Sequence, residues 1–196
     1  MIRRPPRSTQ SRSSAASDVY KRQVNGVSKL YGMTGFRIGW VIAGRKLVEI
    51  MTTIQGQMTS CPSAISQAAA EGALTGVQNV VENLRLTIQN NRDVAMRELQ
   101  SFTGVRVTKP GGTFYCLPDF RAYNGNSFEL AQFLLKKALV VTVPGKDFGM
   151  EGFLRLSYAG AAKDVTEGIK RMKWALDPNS PSEIFIGDRK LVRDWM

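Results

Sequence analysis

The chain has no histidine and only two cysteines among its 196 residues. The first absence leaves no imidazole to move protons or hold a metal, and the cysteines, Cys61 and Cys116, are too far apart for metal-ligand spacing. Both sit among apolar or small residues, which suits a reducing compartment better than a disulfide-stapled secreted domain. Long apolar runs are also missing, the longest falling well short of the ~20 residues that cross a bilayer. No apolar core segment follows the basic N-terminus, so a secretory signal is not expected and the cytosol is the expected location. Acidic residues are the minority, 16 against 27 basic, for a formal net charge of +11. Such an excess raises the question of nucleic acid or a membrane surface. Its distribution argues against both: residues 1–23 carry six basic side chains against Asp18 alone, and the remainder is scattered without interleaved aromatics. No nucleic-acid, membrane or metal partner is expected, and no internal repeat is visible.

What is present is a composition of 43% hydrophobic and 22% charged residues, enough for one domain with a core or for a portion of something larger. Residues 1–23 are rich in Ser, Arg and Pro, hold little that could build a core, and are expected to be disordered. They also resemble translated sequencing-adapter readthrough and are set aside from the fold. The apolar run 38–43, IGWVIA, reads as a strand buried on both faces. Helical periodicity follows over 46–58, with Leu47, Ile50, Met51 and Ile54 on one face, then over 64–74, and then over a long amphipathic stretch, 77–102. From Val105 the pattern shortens into strands: VRVTK, TFYCLP after Gly111-Gly112, 139–143, and 153–158. Between them lies a helix over 128–138 with Ser127 as its expected N-cap, and a final amphipathic helix spans 163–176. The segment 179–196 has no assignable role.

One stretch concentrates chemistry. Val24 to Trp40 reads VNGVSKLYGMTGFRIGW, placing Lys29 and Arg37 on a turn with Gly32, Gly35 and Gly39. An amine forms a Schiff base with an aldehyde once its pKa is lowered, and a planar guanidinium holds a phosphate by two parallel hydrogen bonds. A phosphorylated aldehyde would satisfy both, although spacing alone leaves a solvated basic turn open. An arginine inside so apolar a run should need a buried partner. Arg155, alternating with Leu154 and Leu156 in FLRLSYA, should point to the strand face opposite the two leucines.

The stretch resembles the cofactor-lysine signature of pyridoxal-phosphate aminotransferases of the aspartate aminotransferase superfamily, in the branch reading SK, three variable residues, MTG, a variable residue, then RIG. Ser28, Lys29, Met33, Thr34, Gly35, Arg37, Ile38 and Gly39 all match, and Phe36 stands where Trp is usual. Further along, GGTFYCLP is similar to the family's GAFY strand, VTVPGKDFG to its VPG-x-x-FG loop, and FLRLSYA to its arginine strand. The resemblance covers 24–176 and corresponds to about the C-terminal half of the family's chain. It implies an α/β fold: the C-terminal part of a large cofactor-binding domain over 24–76, a connecting helix over 77–104, and a small αβ domain with a short sheet over 105–178.

By the same resemblance, Lys29 is the catalytic Schiff-base lysine and then the base that shuttles a proton on the substrate. Arg37 binds the phosphate of pyridoxal 5'-phosphate, and Arg155 clamps the substrate α-carboxylate. Ser28 either donates to that phosphate or is small only for packing. The implied activity is amino-group transfer between an amino acid and a 2-oxo acid by a homodimer, and residues 57–63 align with a region near the partner's site. The family's aspartate at the pyridine nitrogen, its other ring ligands and its stacking aromatic all lie upstream of Val24, so the chain alone is expected to be nearly inert. A lyase of the same fold and an aminotransferase-like domain of a transcription regulator remain alternatives.

Overall fold

The computed structural model describes residues 23–195, and the expectation of disorder for the N-terminal segment lies outside these residues except at Gln23, which opens a strand. The chain divides between Leu84 and Arg85 into two compact units.

The first unit begins with a hairpin of β1 (Gln23–Gly26) and β2 (Gly39–Ile42), antiparallel with Gly26 opposite Gly39. A Cβ on Gly26 would lie 2.8 Å from the carbonyl oxygen of Ile38, so the neck of the hairpin closes only on a glycine. Helices α1 (Arg45–Met58) and α2 (Ala64–Thr75) follow, and α3 (Asn79–Gln100) starts in this unit and continues into the second. The expectation of a strand buried on both faces is not met. β2 has one hydrogen-bonded neighbour among the described residues, and its ends, Gly39 and Ile42, are exposed. The apolar run marks a strand, but burial of both faces needs layers above and below it, which a run of six residues cannot report.

α1 is a helix as its periodicity predicts, yet Leu47, Ile50, Met51 and Ile54 remain 38–57% exposed. Among the described residues of this unit only Val27 and Ala70 are buried. Polar ties do much of the holding: the Tyr31 hydroxyl donates to Gln78 Oε1 at 3.0 Å, and Gln78 Nε2 donates to the carbonyl of Ala73 at 3.1 Å.

The second unit has a core. Its antiparallel sheet runs β3 (Tyr115–Cys116), β5 (Leu154–Ser157), β4 (Val143–Pro144) in spatial order. Against it pack α4 (Ser127–Ala138), α5 (Ala162–Leu176) and the C-terminal part of α3, enclosing Leu99, Phe102, Phe120, Leu134, Leu154 and Met172. Phe102 meets Phe120 edge to face at 5.7 Å. Asn91, buried on α3, donates from Nδ2 to the carbonyls of Tyr158 and Gly160, tying the long helix to the end of β5.

Three sequence expectations need correction here. VRVTK forms no strand, only a bridge between Arg106 and Asp119, where Pro110 shortly ends any ladder. The segment 139–143 is a strand only from Val143, because Leu139 takes a left-handed conformation (φ 55°) that closes α4, whose last carbonyls accept hydrogen bonds from Arg171. The N-cap of α4 is Asn126, whose Oδ1 accepts from the backbone of Phe128 and Glu129. Ser127 is instead the first helical residue and fully buried.

The last residues, without an assigned role from sequence, form a hairpin of β6 (Glu183–Ile186) and β7 (Arg189–Val192). Trp195 then sets its ring edge to face against Phe133 and Trp174, both at 5.4 Å, and Trp174 Nε1 donates to the carbonyl of Pro181. Among the described residues no helix is long and apolar enough to cross a membrane.

Candidate functional site

The lysine loop is built by the first hairpin. Val27 N–H donates to the carbonyl of Ile38 at 3.3 Å, closing a loop whose next residue on one side is Ser28 and on the other Arg37. Within it the chain turns through Ser28–Tyr31, where Tyr31 N–H donates back to Val27, then through Gly32 (φ 66°) and a 3-10 turn, Thr34–Phe36. Glycine at 32 lets the backbone take a left-handed step that side chains rarely adopt. The hairpin therefore brings Ser28, Lys29 and Arg37 onto one short loop, with Lys29 exposed and Ser28 half-buried.

Arg37 departs from expectation. It is exposed and left-handed (φ 55°), and its Nη1 donates to the carbonyl of Thr34 at 2.8 Å rather than to a buried partner. The left-handed step carries the side chain out of the apolar run that precedes and follows it. For a residue with a Cβ such a conformation costs roughly 1–2 kcal/mol, and strain of this kind gathers where a side chain must be aimed. The donors on this loop, an amine, a hydroxyl and a guanidinium, fit a phosphorylated aldehyde: one nucleophile for the carbonyl and two donors for the phosphate.

Arg155 belongs to the second unit. On β5 it alternates as its sequence predicts, with Leu154 and Leu156 buried on one face and Arg155 half-buried on the other. Register places Val143 opposite Arg155 and Tyr115 opposite Ser157, so Tyr115 is the diagonal neighbour of Arg155 on the same face. The guanidinium carbon lies 4.4 Å from the Tyr115 ring centroid and 4.7 Å from that of Phe148. Among the described residues no carboxylate pairs with it and no hydrogen bond is made by its guanidinium.

Sequence reading did not single out Tyr115 or Phe148, although both lie in the quoted motifs GGTFYCLP and VPGKDFG. Two adjacent aromatics in the first motif do not say which faces the arginine; register does, and the chain does not spell register out.

The loop carrying Phe148 is fixed by close packing. It is a 3-10 turn, Gly145–Phe148, ended by Gly149 (φ 73°), and a Cβ on Gly145 would lie 2.2 Å from the carbonyl oxygen of Met150. Glu151 accepts hydrogen bonds from the Ser127 hydroxyl and from the backbone of Ser127, both at 2.7 Å, while Ser127 Oγ accepts from Lys146 N–H. The Ser127 hydroxyl, more than any other group, holds the Glu151 carboxyl below its usual pKa. On the core face, burial pushes the Cys116 thiol up to about 12, which makes it inert at neutral pH. Among the described residues no cluster of acidic or cysteine side chains could hold a metal.

With this geometry in place, the comparisons agree on a family. The profile of "Aminotransferase class I and II" matches residues 6–172, and the chain belongs to that family. It is 41% identical over 159 residues to a protein of Aquifex aeolicus named "Probable aspartate/prephenate aminotransferase", covering 79% of this chain and 40% of that one. To an aspartate aminotransferase of Rhizobium meliloti it is 37% identical over 164 residues, covering 79% and 40%. The crystal structure of an aspartate aminotransferase from Rhizobium meliloti superposes with a TM-score of 0.76 at 36% identity, over 80% of this chain and 42% of that one. An aromatic aminotransferase from Pyrococcus horikoshii gives 0.74 at 35% identity, over 78% and 42%. The α/β fold is accordingly the C-terminal part of the aminotransferase fold, and the chain spans about 40% of the length of the curated relatives it matches.

Proposed function

We propose that this chain is the C-terminal portion of a cytoplasmic, dimeric pyridoxal-phosphate aminotransferase that moves an amino group between an amino acid and a 2-oxo acid. The observation that carries the reading is the closed loop bearing Ser28, Lys29 and Arg37 in a chain of this family. Residues 24–76 are read as the end of the cofactor domain, 77–104 as the connecting helix and 105–178 as the small domain. The names of the relatives favour amino-group transfer over β-elimination or a regulatory role, and make aspartate the first amino donor to try.

Pyridoxal 5'-phosphate supplies an electron sink when bound. Lys29 would present its amine to the cofactor's aldehyde and would hold and move the proton at the substrate Cα. Arg37, whose Nη1 donates to the Thr34 carbonyl, would hold the phosphate through its guanidinium, and Ser28 would add a hydroxyl donor. Arg155 binds the α-carboxylate and so fixes how the Cα–H bond is presented. Because the chain covers about 40% of its relatives' length, turnover by this chain alone is expected to be negligible.

The test is a titration with pyridoxal phosphate followed by absorbance. The expected result is a saturable change that Lys29→Ala removes and Arg37→Ala weakens about tenfold or more, the scale of one charge-assisted bidentate contact. Equal saturation in all three proteins would contradict the assignment.

A further inference from the structure

Arg155 is touched by two aromatic rings from different parts of the chain, and the arrangement leaves its hydrogen-bonding edge open. The Tyr115 ring comes from the neighbouring strand β3, 4.4 Å from the guanidinium carbon, and the Phe148 ring comes from the 3-10 turn after β4, at 4.7 Å. A guanidinium lying against a ring face keeps all its N–H donors in its own plane, where a carboxylate can accept two of them at once. An arginine side chain otherwise has many rotamers to lose on binding.

Both rings are themselves held. Tyr115 packs on Phe114 with centroids 4.3 Å apart. Phe148 sits on a turn anchored by Gly145 N–H donating to the Phe153 carbonyl at 2.7 Å and by Lys146 N–H donating to Ser127 Oγ.

We infer that Tyr115 and Phe148 are positioning residues which stack on the Arg155 guanidinium and pre-orient it for a planar carboxylate. The inference rests on reading Arg155 as the carboxylate clamp and goes further, because it assigns the affinity of that clamp partly to two rings that touch no carboxylate. It predicts that the ring faces, not the Tyr115 hydroxyl, set how tightly a carboxylate is held.

The test uses the full 196-residue chain with isotope-labelled arginine and propionate as the probe. In the unsubstituted chain the Arg155 side-chain signals should be displaced by ring currents and should move further as propionate is added. Tyr115→Leu and Phe148→Leu should each remove part of the ring-current displacement and weaken propionate binding roughly fivefold, the scale of one exposed cation–π contact. Tyr115→Phe should keep both. Unchanged methyl signals of Leu154 and Leu156 on the opposite face of β5 would show that the leucine variants remain folded. Equal propionate affinity in the leucine variants would overturn the inference while leaving Arg155 a carboxylate site. Tyr115→Phe behaving like Tyr115→Leu would also overturn it, since the hydroxyl would then be the active part. Ring-current displacement without any response to propionate would remove the carboxylate reading itself, and the inference with it.

Discussion

In the second unit Leu99, Phe120, Leu134 and Leu154 are fully enclosed, whereas in the first the apolar face of α1 is 38–57% open to solvent. Both units contain amphipathic helices and an antiparallel pair of strands, so the difference is not one of local structure. It lies in how many layers meet. Two helices, the C-terminal part of α3 and a half-buried sheet surround one hydrophobic cluster in the second unit, and the first has a two-stranded ribbon that is marginal by itself. The amine and phosphate donors proposed for the cofactor thus sit on the less consolidated unit, and Arg155, proposed as the carboxylate clamp, on the better packed one.

Amide hydrogen exchange should separate the two units most strongly. The amides of α1 should exchange at least ~100-fold faster than those at the centres of α4 and α5, because few buried contacts resist their opening. Comparable protection in both units would show that the first is held by more than its visible contacts.

Substitution should then divide the units in the same sense. Leu134→Ala, removing a side chain with no exposed surface, should cost about 3 kcal/mol in chemical denaturation of the second unit. Ser127→Ala should cost about 1–2 kcal/mol, since it strips a donor from Glu151 and an acceptor from Lys146. The same node predicts a pH dependence. Glu151 has a depressed pKa in the folded chain, so its ionised form stabilises the fold above the ordinary Glu value of about 4.3, and that contribution is lost as pH falls through the lower folded value. Glu151→Gln should flatten the acid limb of a melting-temperature profile, and an unchanged limb would show that the carboxylate is not its source. Asn126→Ala should cost about 1 kcal/mol by removing the cap of α4. Smallest of all, Ile50→Ala on the open face of α1 should stay within about 0.5 kcal/mol, and a large loss there would mean that the face is covered in solution.

The parts of this structure legible in the chain were those that depend on near neighbours. The helices at 45–58, 64–75 and 162–176 follow their periodicity to within a residue, and Arg155 falls opposite its flanking leucines because strands alternate. The lysine loop was legible through a dense motif whose fixed residues all match. What could not be read depends on partners far away in sequence or on single dihedral angles. Periodicity marks which side of α1 is apolar but not whether anything covers it. The cap of α4 moved one residue upstream because the Ser127 hydroxyl is engaged by Glu151, 24 positions later. Leu139 in a left-handed step removed most of an expected strand, and the terminal hairpin is anchored by partners distant in sequence, among them Trp195 against Phe133.

Whether Lys29 is the amine of a cofactor site can be read by chemical trapping. The chain would be mixed with one equivalent of pyridoxal phosphate, reduced with borohydride, digested and mapped by mass spectrometry. Label should concentrate on the peptide carrying Lys29 and disperse when Arg37 is replaced by alanine. Label spread evenly over the surface lysines of the unsubstituted chain would contradict it.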